Sequence, residues 1–280
     1  MINPIKAGNF HYMVSKLREF FNQRYFFEAH TQSNLSVLSA CENPDSVVSY
    51  VYCGKVWPQP QTGQMELEKI LLNDKNLFGV YTISTSFRDE ANDINYDPNR
   101  HDLIFPMFEF EFRGDIGDLM ILERDLVGHL GFDSPCHSIS YSSALVYLNC
   151  NPDSEIKANE EALLGEYFGN AVQLTHFPEY TNPFWNMKRE GNISKKINVL
   201  LYGLETIGSS ERSCDPDKMR GTFYSIKEGA YANNLFHKFT KEAVVKELEE
   251  FLSLDFFPRS GGGIGLTRLN KALIKLGVLD

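Results

Sequence analysis

The chain has 280 residues, 27 basic and 37 acidic, and a formal net charge of −10. Its hydrophobic content of 42% and charged content of 23% are those of a soluble globular protein, and the acidic balance argues against nucleic-acid binding through a broad basic surface, though not through a local groove. No run approaches the ~18 apolar residues of a membrane span, and the first residues, MINPIKAGNFHYMV, lack the apolar core of a signal peptide.

Met13, Leu17, Phe20 and Phe21 recur at i, i+4, i+7 and i+8, which predicts an amphipathic helix from about Asn9 to Tyr25. RYFFEAHTQ follows as a strand. LSACENPDSV reads as a turn-rich loop carrying Glu42, either a solvated charge or a ligand for an ammonium group. Val47 to Val56 is β-rich and reads as one strand. QPQTGQMELEKILL places a Gly–Gln turn before a short helix or strand with Glu66 and Glu68.

Two clusters, Arg88–Asp89–Glu90 and Arg100–His101, then flank a polar loop. Gly79 to Phe87 reads as the strand before it. Phe108, Glu109, Phe110, Glu111 and Phe112 alternate strictly after it, predicting a half-buried strand with phenylalanines on one side and carboxylates on the other. A hairpin so built brings arginines, a histidine, a glutamate and a phenylalanine to one face, suited either to solvent or to a polyanion with an aromatic base.

Asp115 to Gly131 reads as a helix stopped by glycine. Ser143 to Leu148 reads as a strand, Glu155 to Tyr167 as a helix, and Val172 to Phe177 and Ile197 to Tyr202 as strands. GLETIGSSERSCD carries Glu205, Glu211 and Arg212, and a helix covers Phe239 to Leu254. Gly261, Gly262, Gly263 and Gly265 precede a helix with Leu269, Leu273 and Leu276 on one stripe. Glycines let backbone approach a ligand, and a helix N-terminus favours phosphate. Arg268 in that first turn is mildly unfavourable for the helix, so it points to an outside anion; a flexible linker is the bland alternative. The cysteines (Cys41, Cys53, Cys136, Cys150 and Cys214) form no CxxC and read as free thiols of a reducing cytoplasm. Mixed strands and helices without βα alternation predict an α+β fold on a mostly antiparallel sheet, with residues 1–280 as a single domain.

FRDE with the later RH, SSERS, and GGGIGLTRL together resemble the catalytic domain of class II aminoacyl-tRNA synthetases, in the aspartyl/asparaginyl branch. FRDE…RH resembles motif 2, GGGIGLTRL motif 3, and REFFNQRYFFEAHTQ a degenerate motif 1 with Gln32 at the usual proline. TGQMELE and LTHFPEYTNPFWNMKRE resemble the asparaginyl type. The GGGIGxTRL wording is also similar to ammonia-dependent asparagine synthetase. The expected absence of an anticodon-binding domain is shared with archaeal asparagine synthetase-related proteins.

The resemblance implies ATP and Mg²⁺, an AMP-forming amino-acid ligase and a homodimer. Arg88 corresponds to the arginine bridging substrate carboxylate and α-phosphate. Glu90 would accept from the adenine amino group, and Arg100 and His101 would meet the terminal phosphates. Phe105 and Arg268 would flank the adenine, Arg268 also touching the γ-phosphate, with Gly263 and Gly265 lining the ATP site. Glu205 would hold Mg²⁺, Glu42 the α-ammonium, and Gln64 the amino acid. Arg212, Glu68 and Glu211 are the candidate partners of its side chain. The departures are Ile104, Glu211 and Thr267, where the family carries an acid, a glutamine and an acid. The leading expectation is aspartate activated as an adenylate and attacked by ammonia to give asparagine. The alternative is a truncated synthetase-like enzyme serving tRNA or another acceptor, and a third is a non-catalytic amino-acid-sensing paralogue. Carboxylates beside Arg212 would favour an amide side chain and repel aspartate.

Overall fold

The computed structural model describes residues 4–32, 35–40, 42–91, 102–132, 136–181 and 183–280. Helix α1 (Ala7–Asn22) leads into β1 (Phe26–Glu28). The stretch expected as a single strand is a hairpin, β2 (Ser49–Tyr52) and β3 (Lys55–Pro58). Its turn residues Cys53 and Gly54 have φ of 50° and 74°, the paired positive values that match strand twist in a two-residue turn.

Helix α2 (Gln64–Asn73), β4 (Gly79–Phe87), β5 (Ile104–Arg113) and α3 (Ile116–His129) follow. Asp115 caps α3, accepting from Gly117 and Asp118 N–H groups. After β6 (His137–Ser140) comes α4 (Tyr141–Tyr147), in the place of the strand expected over 143–148. Ser140 accepts from Ser143 N–H as its cap and Tyr141, Ala144 and Leu145 form the buried stripe, so a helical start signal overrides the β-like composition. Then come α5 (Ala158–Phe168), β7 (Ala171–Pro178), β8 (Arg189–Glu190), β9 (Ile193–Leu201) and β10 (Leu204–Glu211). Helices α6 (Pro216–Ser225), α7 (Ala230–Phe239) and α8 (Lys241–Leu252) lead to β11 (Arg259–Gly265) and α9 (Leu266–Lys275). The glycine run is therefore a strand, buried throughout, rather than a linker.

The large sheet runs β1–β4–β5–β11–β10–β9–β7–β6, with β8 on β9. The β1–β4 and β6–β7 pairs are parallel and the others antiparallel. The expected α+β fold on a mostly antiparallel sheet is what forms. One face is covered by α1, α3 and α9, whose Leu17, Phe20, Leu126 and Leu269 share a core with Phe108, Phe110 and Phe112 of β5. Phe21 alone meets Phe20, Phe26, Tyr81, Phe108 and Phe110 rings at 5.0–5.9 Å. On the other face α2 lies over β4 and β5. A second core around Trp185, Phe223, Leu235 and Phe251 gathers α6, α7 and α8. Among the described residues the cysteines are free thiols, and no helix is long and apolar enough to cross a membrane.

Candidate active site

The face of the sheet opposite the phenylalanine core holds a cavity of about 450 Å³. Strand alternation delivers its wall. Phe105, Met107 and Glu109 come from one side of β5, Gly263 and Gly265 from β11, and Gly208 and Arg212 from β10 and its end. Lys196 of β9, Gln64 and Glu68 of α2, and Arg268 of α9 complete it. The two α2 residues are four apart and so share a helix face.

At one end lie the residues expected to hold a nucleotide. Arg88 is anchored by an N–H bond from Nε to Ser86 Oγ at 3.0 Å. Its Nη2 pairs with Glu42 at 2.5 Å and its Nη1 stands 4.0 Å from Glu90. Glu42, expected to meet an ammonium, thus neutralises Arg88 here. Its loop is clamped by buried Gln61, which donates to Asn43 O at 2.8 Å and accepts from Asn43 N at 2.9 Å. Phe105 and Gly265 border the same space, and Arg268 Nη1 donates to Glu205 O at 2.8 Å. Arg100 and His101 lie outside the described residues.

A missed group stands beside Glu205. A methyl on Gly208 would meet Glu205 Oε1 at 3.2 Å and Asn198 Oδ1 at 3.9 Å, so both oxygens converge over that glycine. Asn198 is 4% exposed and its Oδ1 has no hydrogen-bond partner, which is costly unless a donor or a cation meets it. A carboxylate plus an unspent carbonyl oxygen is a hard-cation donor set, so these residues fit Mg²⁺. Asn198 could have been found in sequence as the residue two after Lys196 on the pocket side of β9.

The other end is a buried ionic floor. Arg212 donates from Nε to Glu111 Oε1 at 3.1 Å, from Nη2 to the same carboxylate, and from Nη1 to Ser210 Oγ at 2.8 Å. Its Nη2 also reaches Gln64 Oε1 at 3.4 Å. Burial pushes the Glu111 carboxyl well above the usual carboxylate range, against the pull of Arg212. Burial also raises the Glu109 carboxyl, against the bonds it accepts from Gly63 N at 2.8 Å and from the Thr62 and Ser84 hydroxyls. The alternating strand is thus buried on both sides, and its carboxylates are structural members of the site rather than a wet face. Gly261 is the reason Glu111 fits, since a side chain there would fall on its carboxyl group. Glu211 is not part of the floor: β10 turns it to the other side, where it accepts from Ile116 N at 3.2 Å and Lys188 Nζ at 2.7 Å. Ile104, on the face of β5 opposite Phe105 and 39% exposed, does not border the cavity either.

The model of a family described as tRNA synthetases class II (D, K and N) matches residues 8–278. The aspartate–tRNA(Asp/Asn) ligase of Methanopyrus kandleri is 23% identical over 91% of this chain and 61% of its own length. The aspartate–tRNA(Asp) ligase of Picrophilus torridus is 24% identical over 92% and 62%. The chain thus spans about three fifths of these curated relatives. Among solved structures, asparaginyl-tRNA synthetase from Pyrococcus horikoshii complexed with asparaginyl-adenylate superposes with a TM-score of 0.77 at 22% identity, over 96% of this chain and 65% of that one. An aspartyl-tRNA synthetase from Entamoeba histolytica gives 0.69 at 18%, over 94% and 54%.

Proposed function

We infer the activity of this chain from the family it belongs to, the class II tRNA synthetases (D, K and N), and from its own pocket: it joins ATP to aspartate or asparagine as an acyl-adenylate, releasing pyrophosphate. The observation that carries this reading is one cavity with a nucleotide end (Arg88, Glu90, Phe105, Gly265 and Arg268) and an amino-acid end (Gln64, Glu68 and Arg212), with Gly263 beside Gln64. A carboxylate oxygen attacks the α-phosphorus, and the bond to pyrophosphate breaks. Arg88, at the nucleotide end, presents a planar donor set that would orient the carboxylate against the α-phosphate and offset the charge gathered in the transition state. Glu42 exchanges Arg88 for the substrate ammonium, freeing the guanidinium as the amino acid arrives. Glu90 accepts from the adenine amino group, Phe105 stacks on the ring, and Arg268 covers its other side and the γ-phosphate. Glu205 and Asn198 would hold Mg²⁺, which supplies charge neutralisation of the phosphates.

The finer form we propose is asparagine synthesis, in which ammonia attacks the acyl carbon of a side-chain adenylate of aspartate and AMP leaves. GGGIGLTRL supports it. The relatives named as aspartate–tRNA ligases favour a second reading, transfer of the activated amino acid to tRNA. Pyrophosphate exchange with each amino acid tests the adenylate, and no exchange with either overturns it. Asparagine formed from aspartate, ATP, Mg²⁺ and ammonium separates the two fates. We also propose a homodimer: edge strand β1 leaves Phe27 59% exposed and the neighbouring Tyr25 77% exposed, a surface a second copy would cover. Light scattering giving a monomer mass would refute it.

A further inference from the structure

Glu68 is the feature of the pocket that the sequence reading sets against aspartate, because a bare carboxylate beside Arg212 attracts an amide and repels an acid. The structure shows it is not bare. Its Oε2 accepts from Arg259 Nε at 2.9 Å and Nη2 at 2.6 Å, and its Oε1 accepts from Asn186 Nδ2 at 2.6 Å. Arg259 is 0% exposed and Glu68 1%. The arginine is held in turn by Ser213 O at 3.0 Å and by the Phe256 ring, 4.8 Å from its guanidinium carbon. Three of the roughly four acceptor positions of the Glu68 carboxylate are filled, and the remaining side faces Arg212 Nε at 3.8 Å.

The floor therefore holds two cations, Arg212 and Arg259, beside three carboxylates: Glu111, Glu68, and Glu109, whose oxygens are taken by Gly63 N–H and the Thr62 and Ser84 hydroxyls. Glu211, the other acid of the sequence reading, points away. Arg212 keeps an Nη1 proton beyond its bond to Ser210, and its Nη2 contact with Gln64 is a long 3.4 Å. Together these form the edge that grips a carboxylate through parallel N–H bonds. Lys196 adds a further cation to the wall. It lies 4.4 Å from the Phe177 ring and, among the described residues, pairs with no carboxylate.

We propose that Arg259 is a positioning residue that sets the specificity of this pocket for an acidic side chain over its amide, by tying up Glu68. The proposal rests on the adenylation reading and deepens it: the amino acid is aspartate. An amide gains nothing from the spent Glu68 oxygens, while a carboxylate meets acids whose oxygens are already bonded and a guanidinium edge free to receive it. Losing Arg259 leaves Glu68 a buried acid without its counter-ion, at the distance where it opposes a second carboxylate.

The test is calorimetric binding of aspartate and asparagine, with pyrophosphate exchange on the same protein. The wild type should prefer aspartate by tenfold or more in both. Arg259→Gln should lower that preference at least tenfold, chiefly by raising KM for aspartate, while kcat falls less. Arg259→Lys should restore most of it, and so should Arg259→Gln with Glu68→Gln, which removes the stranded charge; a purely structural role predicts no such double-variant rescue. A wild type that prefers asparagine overturns the proposal, as does a folded Arg259→Gln with an unchanged ratio. If Arg259→Gln does not fold, the wild-type binding ratio and Arg259→Lys decide. Aspartate binding tenfold tighter with no exchange would sink the adenylation reading and support the specificity claim. Binding of neither amino acid would overturn both.

Discussion

Glu123 sits in the middle of α3, fully buried beneath β10, where it accepts from the Ser209 hydroxyl and from Gln173 Nε2 at 3.3 Å. Among the described residues it has no cationic partner. Burial pushes its carboxyl from 4.5 up to about 8, with the Ser209 and Gln173 bonds opposing only part of the effect. The folded protein therefore holds a proton there that the unfolded chain gives up near 4.5. Stability from this group is complete below pH 4.5 and is lost as pH rises towards about 8. At about 1.4 kcal/mol per pH unit, the span from pH 6 to 8 removes about 3 kcal/mol. At ~2–4 °C per kcal/mol for a chain of this size, that is roughly 6–12 °C of melting temperature. Glu123→Gln keeps an acceptor for Ser209 and cannot ionise. Its bonding with Gln173 adds an offset that is the same at every pH. Melting curves of both proteins at half-unit steps from pH 5 to 8.5 should diverge, the wild type falling relative to the variant. Parallel curves would refute a proton held at Glu123.

Other consequences of the packing are equally measurable. Gly261→Ala puts a methyl onto the Glu111 carboxyl; overpacking of this kind costs about 1–3 kcal/mol or more, and displacement of Arg212 should abolish aspartate binding by calorimetry. Phe21→Ala empties the hub of an aromatic cluster and should cost about 3–5 kcal/mol in denaturant melts, with adenylate chemistry surviving below the new midpoint. Glu205→Gln should raise the Mg²⁺ concentration for half-maximal exchange about tenfold while ATP-independent folding stays as it was. An unchanged Mg²⁺ dependence would refute the proposed role of Glu205 in holding the metal.

The hydrophobic periods of α1, α3 and α9 were legible because each helix buries one stripe against the sheet, as that of α8 was because it buries one against α6 and α7, and the motif spacings placed Arg88, Arg212 and Arg268 around one cavity. Alternation in β5 told which residues share a side but not which side is dry. Its carboxylate face is covered by α2 and Arg212, from residues some forty positions before and about a hundred after, and nothing local announces that cover. The β2–β3 turn failed for a different reason, since Cys53 in a left-handed conformation is not a turn signature. Arg259 was unreadable in principle: its partner lies 191 positions away, and an arginine before a glycine run carries no periodic signal. Glu42 and Glu68 were each identified as site residues, yet what they do depends on Arg88 and Arg259, partners that only the fold supplies.

The central place of β11 carries a cost for the chain while it folds. This strand slots between β5 and β10, pairing with both over most of its length. Until it arrives, β5 and β10 each present an open edge, and the β5 edge is flanked by phenylalanines. Closing that gap joins segments about 150 positions apart, a slow step by contact-order reasoning. The intermediate with the slot still vacant is the species most prone to cross-pair with another copy. Expression at lower temperature, or with strand-capturing chaperones, therefore bears directly on the yield of folded protein.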